Sequence, residues 1–175
     1  TATTEAKVFA EYTVAEGFEL GENSVTSGSV IGDGSLVLDI YLNRKTVTIT
    51  FDTKGGSEVP AISQLYGSKV NAPADPERAG YIFAGWDKTV PETMPSENVT
   101  ITAKWTLNTF KATFRTDGGK FADGTDEKAI DFDFGEEIIA PADPERAGYT
   151  FMGWYPAPET MPAKNIVLTA TWKAN

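Results

Sequence analysis

Cysteine and histidine are both absent from the 175 residues. Without thiols there is no disulfide and no thiolate nucleophile. Without imidazole the chain lacks the usual general base near neutral pH and the commonest transition-metal ligand. Long apolar runs are missing as well: none approaches the roughly 18 residues that a helical membrane span requires. Cationic clusters are scarce, with 15 Lys and Arg against 25 Asp and Glu and a net charge of −10. That balance argues against nucleic acid and anionic lipid as partners, because both need concentrated positive charge. The acidity is spread along the chain and reads as solubility. No initiator Met or charged-then-apolar leader precedes Thr1, so the sequence reads as a piece of something longer. Apolar and aromatic content, 41% and 11%, is that of a globular protein.

What is present is a duplication. The ten residues Ala72–Tyr81, APADPERAGY, recur without change as Ala140–Tyr149. Phe83, Gly85 and Trp86 follow the first copy as Phe151, Gly153 and Trp154 follow the second, and PETMP appears at Pro91–Pro95 and Pro158–Pro162. Upstream, Phe51, Gly55 and Gly56 match Phe114, Gly118 and Gly119; downstream, Trp105 matches Trp172. The offset is 63 residues from Gly55 to Gly118, 68 from Ala72 to Ala140 and 67 from Trp105 to Trp172. Copy two therefore carries five extra residues between Gly119 and Gly135 and lacks one just after Trp154, changes expected of surface loops.

Alternation with period two predicts the strands. Val47, Ile49 and Phe51 share one face of an opening strand, as do Phe110, Ala112 and Phe114 in copy two. Val99, Ile101, Ala103 and Trp105 share one face of a closing strand, matched by Ile166, Leu168, Ala170 and Trp172. A third strand is expected at Tyr81–Trp86, and the glycine pairs supply tight turns. Asp75-Pro76-Glu77-Arg78-Ala79-Gly80 carries a helix-start acid, Pro at the first position and a Gly terminator, which predicts one short helical turn per copy. A unit of some sixty residues buries only about 60% of its unfolded surface and needs large side chains. The four Trp, two per copy at matched positions, are read as filling that need. Residues 1–45 lie outside the repeat but also read as strands, at Lys7–Tyr12, Ser24–Val30 and Ser35–Leu42, with Gly32-Asp33-Gly34 turning the last two into a hairpin.

The order of strand, Gly-Gly, aromatic-Gly (Tyr66-Gly67, Phe134-Gly135), P-x-D-P-x-R-x-G-Y-x-F-x-G-W and a closing strand ending in Trp resembles the Listeria–Bacteroides repeat, the B-repeat of internalin-type surface proteins. The likeness covers roughly residues 46–173. It implies a mostly β (α+β) chain of tandem β-grasp-like (ubiquitin-like) domains, of about four strands and a helical turn each, on an extracellular bacterial cell-surface or cell-wall protein. It offers no catalytic motif. Residues 17–44 are similar, more loosely, to the tail of mucin-binding-protein-like modules. The expected division is a β module at 1–45 and repeat domains at 46–106 and 107–175.

Several residues invite a chemical role and have a plainer one. Surface Trp anchors sugars, yet Trp105 and Trp172 run in phase with Ile101 and Leu168, and Trp86 and Trp154 follow Gly at a strand end; all four are read as core. The acidic stretch Asp117, Asp123, Asp126, Glu127, Asp131, Asp133, Glu136 and Glu137 lacks the ligand spacing of a calcium loop. Asp131 and Asp133 alternate with Phe132 and Phe134, as on a solvated strand face. No carboxylate pair is marked out for glycoside hydrolysis. No feature pairs Lys45 or Lys104 with Asn43 or Asn98 for an isopeptide crosslink, and Asn98-Val99-Thr100 is a glycosylation sequon by composition alone. The expectation is therefore a non-enzymatic chain with no cofactor, no metal and no catalytic residue.

Two functions remain open. One is a stalk: only Thr106, Leu107 and Asn108 separate Trp105 from Thr109, and Lys45 joins the first module as abruptly, so three small bodies would form a rod of roughly 80 Å. The other is a module that recognises host protein or glycan through a strand edge or the 120–131 loop, where copy two diverges.

Overall fold

The computed structural model describes residues 7–29 and 36–175. These residues form twelve strands and no helix, so among them no helix is long and apolar enough to cross a membrane. Four short strands come first: β1 (Lys7–Phe9), β2 (Phe18–Leu20), β3 (Ser27–Ser29) and β4 (Leu42–Arg44). The first repeat contributes β5 (Thr46–Asp52), β6 (Ile62–Leu65), β7 (Tyr81–Trp86) and β8 (Val99–Leu107). The second contributes β9 (Thr109–Arg115), β10 (Glu127–Asp133), β11 (Tyr149–Tyr155) and β12 (Ile166–Ala174).

Each repeat owns one four-stranded sheet, in the orders β6-β5-β8-β7 and β10-β9-β12-β11. The central pair is parallel in both, with Phe51 opposite Ile101 and Leu168 opposite Phe114. The flanking strands β6, β10 and β11 pair antiparallel with their neighbours. Two compact units divide the chain: Thr1–Asp52 with Val59–Ala74 and Trp86–Thr102, and Thr53–Glu58 with Asp75–Gly85 and Ala103–Asn175.

The alternating faces pack as their spacing dictates. Val47, Ile49, Phe51 and Ile101 are buried together with Val59, Val70 and Met94. Ala112, Phe114 and Leu168 are buried with Phe121, Phe132 and Met161. The methionines come from the PETMP loops, whose two prolines leave a non-helical connection that drops one unbranched side chain into each core.

Trp86 and Trp154 pack against these cores. In a regular strand Phe151 and Trp154, three apart, would face opposite ways. A bulge between Phe151 and Gly153, with Gly153 at φ 113°, brings both rings to one side, 5.3 Å apart. Trp105 and Trp172 are half-buried and sit beyond the cores, where each indole closes the glycine turn. Their Nε1–H groups donate to the Thr53 and Thr116 carbonyls at 2.9 and 2.8 Å.

The structure corrects the expected α+β, β-grasp-like fold: the chain is mostly β, as read, but the helical turn is missing from both copies and no helix crosses either sheet. Asp75–Glu77 and Asp143–Glu145 form no helix or turn, and Glu145 makes an antiparallel bridge with Lys120 instead. The residue before a proline is disfavoured in the α region, which acts on Asp75 and Asp143. The non-helical path also pairs the backbone. Ser57 N donates to the Glu77 carbonyl at 2.7 Å, while Lys120 and Glu145 exchange two bonds of 2.8 Å. A helical turn would leave these groups in the glycine turns without partners. Only a tight turn remains, closed by Tyr81 N to Arg78 O and by Tyr149 N to Arg146 O.

In the first module, β1 pairs with β3 and β2 with β4. The expected turn at Gly32-Asp33-Gly34 lies outside the described residues. Residues 36–41 carry no strand, although Asp39 and Tyr41 accept bonds from Val25 N and Gly21 N.

Candidate interaction site

No sequence-derived catalytic, cofactor or metal residue exists to be placed, so the sites of interest are where modules meet and where strand edges are open. The two junctions use one design. Gly17 and Gly80 both lie at positive φ, +80° and +81°, just before the aromatics Phe18 and Tyr81. A ring from the following repeat takes the space that a side chain at the glycine would fill. A Cβ on Gly17 would stand 2.4–2.6 Å from Tyr66 ring atoms, and one on Gly80 would stand 2.3–2.6 Å from those of Phe134. The seated ring also meets the neighbouring aromatic edge-on, Phe18 with Tyr66 at 5.6 Å and Tyr81 with Phe134 at 5.8 Å.

The linker residue is bonded on both sides. Lys45 N donates to Gly17 O at 2.9 Å and Lys45 O accepts from Tyr66 N at 2.8 Å; Asn108 does the same with Gly80 O and Phe134 N, both at 2.9 Å. Each incoming ring is fixed to its own core in turn. Gly67 N donates to Met94 O and Gly135 N to Met161 O, and both methionines are 1% exposed. The aromatic-Gly pairs noted in the sequence are therefore the connectors, a role that repeat alignment alone does not reveal.

The acidic stretch of copy two is organised by ion pairs. Lys111 meets Asp131 and Arg115 meets Glu127 across β9 and β10, at 2.9 and 2.8 Å. Lys120 pairs with Asp126, and Lys128 with Asp123 at 2.9 Å. The Thr125 hydroxyl, donating to Asp123 at 2.6 Å, holds that carboxyl well below the usual carboxylate range, helped by Lys128 and by Thr125 N. The five extra residues do more than lengthen a loop. The longer stretch between Gly119 and Gly135 holds a seven-residue edge strand and Phe121, buried and stacked on Trp154 at 6.1 Å.

The opposite edge of the second sheet differs in character. Met152 and Tyr155 of β11 are 59% and 73% exposed, where the first repeat has Ala84 and Asp87. Sequence reasoning directed attention to residues 120–131 and passed over these two. The signal was available in the mismatch between otherwise matched copies.

Comparison with known proteins bears on both repeats. Internalin H of Listeria monocytogenes is 32% identical over 147 residues, covering 73% of this chain and 25% of that protein. An Evansella cellulosilytica protein, provisionally named a membrane protein, is 31% identical over 145 residues, covering 73% of this chain and 21% of its own length. This chain thus spans about a fifth to a quarter of those relatives. Among solved structures, domains 3-4 of the Streptococcal High Identity Repeats in Tandem, from a cell surface protein, align over 74% of this chain and 98% of theirs. At 18% identity and a TM-score of 0.26 that likeness carries no argument. The family profile of the Listeria-Bacteroides repeat domain matches residues 48–107 and 110–171, and the chain belongs to that family.

Proposed function

We propose that this chain is a non-enzymatic spacer of a bacterial cell-surface protein, with domains at 1–45, 46–106 and 107–175 that hold a distal part of the parent protein away from the cell wall. On this reading residues 1–45 are the end of a separate module, as their likeness to mucin-binding-protein tails suggests. The observation that carries the proposal is the doubly bonded linker: Asn108 donates to one repeat and accepts from the next, while Phe134 packs on Gly80. A connection with both backbone groups engaged and a ring seated across it resists bending far more than a solvated tripeptide. Surface placement is supported by the family and by internalin H among the relatives. Backbone ¹⁵N relaxation is the test. The two repeats should tumble with one correlation time, and independent tumbling would refute a stiff spacer.

A second reading is favoured by Met152 and Tyr155 on the open β11 edge. An extended segment of a host protein could add there as a further strand, or a glycan could stack on Tyr155. Saturable binding in a host-protein or glycan array, lost on Met152→Ser with Tyr155→Ser, would favour this reading over the spacer.

A further inference from the structure

The junction geometry occurs a third time, at the far end of the second repeat, with no ring of the described residues in it. Gly148 has φ +79°, against +80° and +81° at Gly17 and Gly80. Tyr149 N closes the same turn onto Arg146 O at 3.1 Å as Tyr81 N does onto Arg78 O at 3.0 Å and Phe18 N onto Ala15 O at 3.1 Å. Asn175 N donates to Gly148 O at 3.1 Å, as Asn108 N does to Gly80 O. Arg146 lies over the Tyr149 ring at 4.1 Å, as Arg78 lies over Tyr81 at 3.8 Å. The difference is occupancy. Gly17 and Gly80 are buried under Tyr66 and Phe134, whereas Gly148 is exposed, Tyr149 is 40% exposed, and among the described residues nothing comes within 4 Å of a Cβ built on Gly148.

We infer that Gly148, Tyr149 and Asn175 form a ready-made seat for the aromatic-glycine turn of a further repeat joined directly after residue 175. The occupant follows from the two filled seats. Both hold a Tyr or Phe followed by Gly, and both are filled by the module next along the same polypeptide. Both also require the linker carbonyl to accept the ring residue's N–H, for which the Asn175 backbone carbonyl is the equivalent group. Gly148 is then glycine for the sake of the incoming ring as well as for its positive φ. Unoccupied, the seat leaves an apolar ring and a bare backbone turn in water; filled, it buries both. The inference goes beyond the spacer reading, because a seat can be filled whether or not the array is stiff.

The experiment extends this chain by a second copy of residues 109–175 placed after Asn175, and follows glycine Hα resonances by NMR. In the unextended protein Gly17 and Gly80 should show ring-current shifts and Gly148 should not. In the extended protein Gly148 Hα should acquire the shift that Gly80 shows, and Phe134→Leu in the appended copy should remove it. The same substitution in the original copy should remove the Gly80 shift and leave Gly148 unchanged. An unshifted Gly148 beside a folded appended repeat, or an appended repeat that fails to fold behind the intact seat, overturns the inference. So does a Gly148 shift in the unextended protein that grows with its concentration, since the occupant would then be a second molecule. None of these outcomes bears on the common correlation time of the two existing repeats, so the spacer proposal is judged separately.

Discussion

The ring of Phe134 stands where a side chain at residue 80 would be: a Cβ on Gly80 would lie 2.3 Å from two of its carbons. Gly148, at the same place in the next copy and with nearly the same φ, meets nothing within 4 Å among the described residues. Two glycines in an identical ten-residue string thus carry different loads, and this difference can be measured.

Gly80→Ala and Gly148→Ala should both lose stability through the left-handed backbone, by about 1–2 kcal/mol. Gly80→Ala should lose a further amount, about 1–3 kcal/mol, because Phe134 must be displaced. Urea unfolding of the two variants is the check. Equal losses would mean that the ring contact contributes nothing.

Trp172→Phe keeps a ring against Phe151, 5.5 Å away, but removes the Nε1–H that the Thr116 carbonyl accepts at 2.8 Å. Thr116 is itself buried, so that carbonyl is left with the longer bond from Gly119 N, at 3.3 Å, where water has little access. The expected loss is about 1–2 kcal/mol by thermal or chemical denaturation. A neutral result would show that the indole bond is replaced by solvent.

Phe121 lies between Gly119 and Gly135, the stretch in which copy two is longer. If that stretch were merely a drifting loop, Phe121→Ala would be silent. Because the ring is buried against Trp154, the substitution should cost about 3 kcal/mol. It should also shift the emission of Trp154. Calorimetry and fluorescence on one variant test both statements.

The Asp123 carboxyl is held low by the Thr125 hydroxyl first and Lys128 second. Its folded pKa lies below its unfolded one. Its contribution to stability is therefore present above the ordinary aspartate range and is lost as pH falls through the folded value. Carbon-detected titration should find Asp123 still ionised in acid that protonates a free aspartate. Thr125→Val should move the midpoint upward, and an unmoved midpoint would remove the hydroxyl from the account.

The repeat, its two sheets and their buried faces were legible in the chain, because alternation at Val47, Ile49 and Phe51 permits only one face to be covered. The helical turn was misread at Asp75–Gly80 because local propensity was weighed without the partner strand. Pro76 and Gly80 suit a helix, but Ser57 and Lys120 need acceptors, and only a non-helical Glu77 and Glu145 supply them. The tryptophans divide by position, which alternation could not show: the Gly153 bulge turns Trp154 inward, while Trp172 caps a turn.

By itself the sequence determined how many repeats there are, three of the four strands in each and that the chemistry of thiols and imidazoles is excluded. These follow from residue type and spacing, which are local. Only the tertiary structure decided that Tyr66 and Phe134 belong to the module before them as much as to their own, and that Gly148 is a third such place with no ring of the described residues upon it. Such assignments depend on which surfaces meet. Contacts like that of Phe134 on Gly80 join residues dozens of positions apart, where no periodicity along the chain connects them.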